Sequence, residues 1–303
     1  MERAVRELWA ESRDLLGLHS PDDAAAADAA MPRAEMPPTP LAFLRDHVSP
    51  GRPLLVSSAA TSHWPAASLW PTDSYLTDAL RSTAVSLHLT PDGRADALAP
   101  HPRPSHPGAK CFASAHVRQV DFPTAVRLIR SSDPASGLVA YAQQQDDCLR
   151  GEYAAVAGDV DAHVPWASRR ARLPPRGHEA ELRLKLELEE PERIVPWSSV
   201  DPYPPSPEEA AAQASSFPLY FEGPRPIRCT VRAGEMLYLP SMWFHHVSQS
   251  PGPNGLTIAV NYWYDMQFDI KYAYFNFLRS LEIDGSSPKK TDALEDDLEE
   301  TND

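Results

Sequence analysis

Apolar and polar positions alternate most regularly in the last third of the chain. Cys229, Val231 and Ala233 interleave with Thr230 and Arg232, Gly234 permits a turn, and Met236 to Leu239 resumes the alternation. This is the pattern of two half-buried strands whose side chains point to opposite faces. Pro240 has no amide hydrogen and ends the ladder. Trp243 to Val247 then reads as extended, SQSPGPNG as a hairpin-like connection, and Leu256 to Tyr264 as a further strand. Upstream, Val5, Leu8, Trp9, Leu15 and Leu16 recur at helical spacing over residues 3 to 17, before an Ala/Asp-rich connector. Thr39 suits the N-cap of a short helix starting at Pro40. Pro53 to Val56 and Gly137 to Gln143 read as buried strands and Thr83 to Leu89 as an alternating one that ends in the turn Pro91-Asp92-Gly93. Asp73 to Leu80 and Phe122 to Ile129 read as helices. In the middle of the chain, Leu182, Leu184, Leu186 and Leu188 alternate with charged residues as a strand with one solvent face.

Length and charge narrow the possible classes. A chain of 303 residues can bury one large core. We divide it into an N-terminal helix and connector (1–36), one domain (37–281) and an acidic tail (282–303). The formal charge is -14, but about half of the excess lies in the tail, where few apolar residues and a dense acidic run predict disorder. The body lacks the clustered Lys and Arg that a nucleic-acid backbone requires. No apolar run is long enough to span a bilayer or act as a signal peptide. The three cysteines, Cys111, Cys148 and Cys229, have no metal spacing and cannot all pair, which fits a reducing cytoplasmic or nuclear compartment.

The candidate chemistry lies at the exit of the Met236–Leu239 strand. A neutral imidazole held among aromatics is a suitable ligand for iron or zinc, and His245 and His246 follow Trp243 and Phe244. On the residues alone, packed core histidines are the favoured reading of the pair. HPRPSHPG (His101 to Gly108) reads as a solvated loop, since no further ligands are spaced to assist it.

The run GEMLYLPSMWFHHV followed by AVNYWYDM closely resembles the Jumonji-C (JmjC, cupin-like) iron and 2-oxoglutarate dioxygenases, specifically the small branch that hydroxylates lysine in developmentally regulated GTPases. The resemblance continues in PPTPLAFLRDHVSPGRPLLV, HWPAASLW, STAVSLHLTPDGRADAL, HVPWAS, VPWSSVDP and FDIKYAYFNFLRSL, and so covers both ends of the chain. It implies a mainly β fold with peripheral helices, a double-stranded β-helix of jelly-roll type. It also implies Fe(II) as cofactor, 2-oxoglutarate as cosubstrate and a protein substrate, with a homodimer compatible. The family's distal iron histidine stands five residues after the proline, which is His245 here, and His246 becomes its neighbour. Tyr141 in AYAQQQ matches a tyrosine that donates its hydroxyl to the 2-oxoglutarate carboxylate, and Asn261 matches an asparagine beside the cosubstrate. On residue chemistry alone, Tyr141 is a core tyrosine with a polar tip and Asn261 an amide satisfying backbone at a strand edge. Trp243, Trp263 and Tyr264 are candidates for the substrate pocket, with core packing as the alternative.

The pattern breaks at the other two iron ligands. A facial triad needs two histidines and a carboxylate, and the first two come as His-x-Asp/Glu on an earlier strand. None of the 11 histidines is followed two residues later by Asp or Glu. His178 has Ala180 at that place, and Asp161-Ala162-His163 has the order reversed. The expected reading is a block missing between about Ser168 and Leu182 that would carry His-x-Asp and a cosubstrate lysine, leaving the jelly roll incomplete and the chain inactive as written. Either the coding sequence is incomplete or the chain is a non-catalytic, cupin-like protein-binding module. Removing central strands from a closed barrel exposes ladder edges, which favours the first account.

Overall fold

The computed structural model describes residues 31–94, 96–103, 105, 108–144, 147–167, 198–204, 206–222, 226–264 and 270–280, together with Glu7 and Glu11. Two compact units result, Met1–Tyr264 and Asp265–Asp303. In the first, the described strands are β1 (Arg33–Ala34), β2 (Leu54–Val56), β3 (Ala84–Thr90), β4 (Ala97–Pro100), β5 (Lys110–Ala113), β6 (His116–Asp121), β7 (Val139–Ala142) and β8 (Met236–Tyr238). They form a sheet of order β1-β2-β8, a second of order β6-β3-β7 and a β4-β5 hairpin. The second unit contains the helix Ile270–Ser280.

β3 shows how the alternation is used. Val85, Leu87 and Leu89 are buried against Ala125 and Ala140, while Ser86 and His88 face the other way. β3 is antiparallel to β6 on one side and β7 on the other, with Leu87 opposite Arg118 and Ala142. Helix Phe122–Arg130 covers the apolar face. It starts where the Asp121 side chain accepts from the Thr124 amide and Pro123 occupies the first turn, and it buries Ala125 and Val126. The β2 sheet has its own core of Phe43, Leu54, Val56, Ala60, Val164 and Trp166, against which Tyr238, Tyr262 and Tyr264 pack. Phe43 meets Trp166 and Tyr238 edge-on at centroid distances of 4.8 and 4.7 Å. Thr39 caps the short helix Pro40–Phe43 through the Ala42 amide, as its sequence predicts. Asp159, buried, accepts from Trp70 Nε1 (2.9 Å) and Tyr75 Oη (2.8 Å), so its desolvated carboxylate is hydrogen-bonded.

Several sequence readings change. Residues 31 to 34 of the connector are structured: Met31 is buried and Arg33–Ala34 runs parallel to Leu55–Val56. Partnership with a strand 22 residues away, invisible to local pattern, determines this. The β4-β5 hairpin and β6 were not anticipated, because their short runs carry Pro, Lys and Arg. Helix Pro207–Ser216 was also missed, although Ser206 followed three residues later by Glu209 is an N-terminal signature. Gly137 to Gln143 is less buried than expected, with only Ala140 of β7 fully covered. The largest change concerns Ile227 to Tyr264, where among the described residues Met236–Tyr238 is the stretch that lies in a ladder, paired with β2. Alternation prepares a segment for a sheet, but a strand forms only where a neighbour takes its hydrogen bonds. Apart from Glu7 and Glu11, both helical, the readings for residues 3–17 lie outside the described residues, as do those for 182–188 and 282–303.

The described core thus lies behind β2 and β3, with Tyr262 and Tyr264 packing against it while Phe244, Val247 and Trp263 face solvent. Leu87→Ala should cost about 2 to 5 kcal/mol in urea unfolding, as expected for truncating a fully buried leucine. Phe244→Ala, at a side chain 85% exposed, should stay within about 0.5 kcal/mol. Equal costs would place the core elsewhere.

Candidate functional site

The site is built on the turn that follows β8. Gly234 enters with φ +84°, a left-handed value at which an added Cβ would sit 3.1 Å from Ser58 Cβ, and its carbonyl accepts from Thr61 Oγ1 at 2.5 Å. After the buried Pro240, Met242 takes φ +62°, and Trp243 Nε1 donates to the Gly51 carbonyl at 3.0 Å. These contacts tie the segment to the chain on both sides of β2, at Gly51 before it and at Ser58 and Thr61 after it. A non-glycine residue at positive φ is costly, and here it redirects the backbone immediately before the histidines.

The two histidines are placed differently. His245 is exposed, and its Nδ1 lies 3.0 Å from the Trp243 carbonyl. A carbonyl only accepts, so Nδ1 is the donor, and in the neutral ring this is the tautomer required of an Nε2 metal ligand. The His246 ring contacts the Tyr203 ring at 5.0 Å, and the Arg228 guanidinium lies 5.3 Å from the same ring. Tyr203 is held in turn by Arg94, which donates to its carbonyl at 3.2 Å and pairs with Asp201 at 2.5 Å. Sequence reasoning did not find this support for His246, since Arg94 and Tyr203 are distant in sequence.

Tyr141 sits on β7 directly opposite His88 of β3, with the rings stacked at 4.9 Å and an interplanar angle of 29°. His88 Nε2 donates to the Gln143 carbonyl at 3.1 Å. Burial, with the Asp96 charge second, pushes the Tyr141 phenol up to about 12, and burial pushes the His88 imidazole down. Both are therefore neutral near pH 7, and Tyr141 keeps its proton as a donor. Asn261 is exposed, as is Trp263 at 79%. Between and beyond them, Tyr262 donates to the Asp161 carbonyl (2.6 Å) and the Tyr264 oxygen accepts from the Val164 amide (3.1 Å). Trp263 and Tyr264 thus point to opposite sides, and the structure does not bring them with Trp243 to one wall.

Among the described residues no group of three or more His, Cys, Asp or Glu side chains could hold a metal ion. His245 stands alone, so the described residues do not fit a catalytic iron. No helix among them is long and apolar enough to cross a membrane, and no disulfide joins the three cysteines.

The profile of a family described as a cupin-like domain matches residues 40–184 and 169–270. The chain is 44% identical to the lysine-specific demethylase JMJ32 of Arabidopsis thaliana over 343 positions, covering 95% of this chain and 94% of that protein. The chain belongs to the cupin-like JmjC family. It is also 34% identical to the bifunctional peptidase and (3S)-lysyl hydroxylase JMJD7 of Homo sapiens over 83% of this chain and 89% of that protein. With JmjC domain-containing protein E of Dictyostelium discoideum it shares 26% over 80% and 86%. JmjC membership makes the fold a jelly-roll-like arrangement of sheets with flanking helices, of which the β1-β2-β8 and β6-β3-β7 sheets are the described part. JmjC proteins generally depend on Fe(II) and 2-oxoglutarate.

Tyr141, Tyr153 and Tyr262 are each pushed up to about 12, mainly by burial. Each keeps its proton in the folded state between the ordinary 10.0 and about 12, while the unfolded chain loses it. Stability should therefore be intact below pH 10 and fall as pH rises from there to about 12. Absorbance at 295 nm should show late-titrating phenols, and Tyr141→Phe should remove one of them and soften the fall. A Tyr141 phenol titrating near 10 would contradict the burial described.

Proposed function

We propose that this scaffold is that of a JmjC-type protein lysyl hydroxylase, and that the 303-residue chain is itself catalytically silent. The supporting observation is His245, five residues after Pro240, with its Nδ1 proton held by the Trp243 carbonyl and Nε2 left open. In this reading His245 is the distal iron ligand, Tyr141 donates its buried, neutral hydroxyl to a 2-oxoglutarate carboxylate, and Asn261 stands beside the cosubstrate. The substrate class follows from two relatives whose names both specify lysine, one as a demethylase and one as a hydroxylase. Both reactions oxidise a carbon of a lysine side chain, and they differ in whether that carbon is an N-methyl group or part of the chain. The substrate in this reading is an intracellular protein, with a developmentally regulated GTPase the candidate carried by the sequence resemblance, met in cytoplasm or nucleus by a monomer or homodimer.

Silence follows from donor count. One imidazole cannot retain iron, because a facial triad requires a second imidazole and a carboxylate on the same face. The second reading, a protein-binding module without turnover, is favoured by the same lone histidine. It is distinguished by capture of a GTPase that requires neither iron nor 2-oxoglutarate.

The purified chain, given Fe(II), 2-oxoglutarate and lysyl peptides, should retain less than stoichiometric iron and release no succinate. Stoichiometric iron with succinate release would refute its silence. The histidine assignment has its own test in this chain. His246→Ala should cost about 0.5 to 1.5 kcal/mol through loss of the Tyr203 ring contact, whereas His245→Ala, at an exposed ring, should stay within about 0.5 kcal/mol. The reverse order would mean that His245 is the structural member of the pair.

A further inference from the structure

The β6-β3-β7 sheet has one face covered by helix Phe122–Arg130 and a second face that carries polar side chains. On the second face Gln119 of β6 stands opposite Ser86 of β3, and its Nε2 donates to Ser86 Oγ at 2.8 Å. Two residues further along β3, His88 lies between Val117 of β6 and Tyr141 of β7. Directly opposed residues share a face, so backbone register alone brings the His88 and Tyr141 rings together. They stack at a centroid distance of 4.9 Å and an interplanar angle of 29°.

His88 holds β7 at two points. The β3-β7 register runs from Thr90 opposite Val139 to Leu87 opposite Ala142, and Gln143 lies one residue past its end. There the His88 side chain takes over, with Nε2 donating to the Gln143 carbonyl at 3.1 Å. Burial pushes the imidazole pKa down, so the ring is neutral near pH 7 and its one N–H is committed to that carbonyl. Tilting the ring away from Tyr141 would break the bond, so the bond keeps the stack in place. A phenylalanine at this position could supply the stack but not the hydrogen bond.

Other tyrosines in the chain are held differently. Tyr75 and Tyr262 donate their hydroxyls to the Asp159 carboxylate and the Asp161 carbonyl, and the Tyr264 oxygen accepts from the Val164 amide. Each of those oxygens is engaged in the fold. Tyr141 is gripped by the face of its ring, and among the described residues no hydrogen bond takes its hydroxyl. A phenol held in this way is oriented while its oxygen stays available to a ligand.

We propose that His88 is the positioning residue for Tyr141, holding the phenol so that its hydroxyl is presented to a carboxylate of the cosubstrate. The inference rests on the cosubstrate role proposed for Tyr141. What the stack contributes is pre-organisation: a tyrosine free to turn about its side-chain bonds must be ordered when the ligand binds, and one already stacked need not be. His88 itself donates its N–H to the protein and acts on the ligand only through Tyr141.

Binding of 2-oxoglutarate to the iron-free chain, followed by NMR of ring-labelled tyrosine, tests this in the wild type, His88→Ala, His88→Phe, Tyr141→Phe and the His88→Ala/Tyr141→Phe double variant. His88→Ala should weaken binding about tenfold in the wild type but less than about twofold in Tyr141→Phe, because a residue that acts through the hydroxyl then has nothing to act on. His88→Phe restores a flat ring and should recover affinity to within about threefold of the wild type. The late-titrating phenols of Tyr153 and Tyr262 check that each form is folded. A folded His88→Ala that binds like the wild type while Tyr141→Phe binds worse would overturn the inference and leave the Tyr141 reading standing. Equal losses from His88→Ala with and without the Tyr141 hydroxyl would do the same. If Tyr141→Phe binds as the wild type does, or the wild type does not bind, the cosubstrate role of Tyr141 falls and the inference falls with it.

Discussion

Backbone pairing across β3 is the constraint on which the rest of the described structure depends. Flanked on both sides, β3 satisfies its amides and carbonyls with β6 and β7, and so commits Val85, Leu87 and Leu89 to one face and Ser86 and His88 to the other. The helix after β6 covers the first face, and the second presents His88 against Tyr141. β2 has the same role in the other sheet on a smaller scale, fixing β1 on one side and β8 on the other. Beyond Tyr238 several large apolar side chains, Phe244, Val247 and Trp263 among them, turn to water, while Tyr262 and Tyr264 still pack against the β2 core.

The candidate chemistry stands at that boundary. His245 follows the last paired strand, carried by a turn with a left-handed Met242 and anchored by the Trp243 bond to Gly51. Its own hydrogen bond prepares one nitrogen for a metal, yet no second or third ligand accompanies it among the described residues. Tyr141, in contrast, lies within the well-paired sheet, where burial keeps its phenol neutral.

Much of this was legible in the residues. The capped helix at Pro40, the buried run before Val56, the alternation of β3 and the helix after Asp121 all follow from local chemistry: a hydroxyl at an N-cap, a proline in a first turn, an apolar period of two. Family membership and the absent His-x-Asp motif were also visible, because motifs are local. The segment from Leu256 to Tyr264 shows the limit, since its alternation is correct and Tyr262 and Tyr264 do turn inward, yet it joins no ladder among the described residues. The residues specify a strand's two faces, but hydrogen bonds need a second chain segment.

What the sequence by itself determined, then, was the family, the periodicity of each element and which histidine follows the proline by five, all of them properties of neighbouring residues. Only the tertiary structure decided that Arg33–Ala34 is a strand, that His88 stacks on Tyr141, that His246 meets Tyr203, and that Trp263 and Tyr264 face apart. Each of these depends on register or on contact between residues far apart in the chain, which folding sets through burial and pairing and which no local pattern encodes.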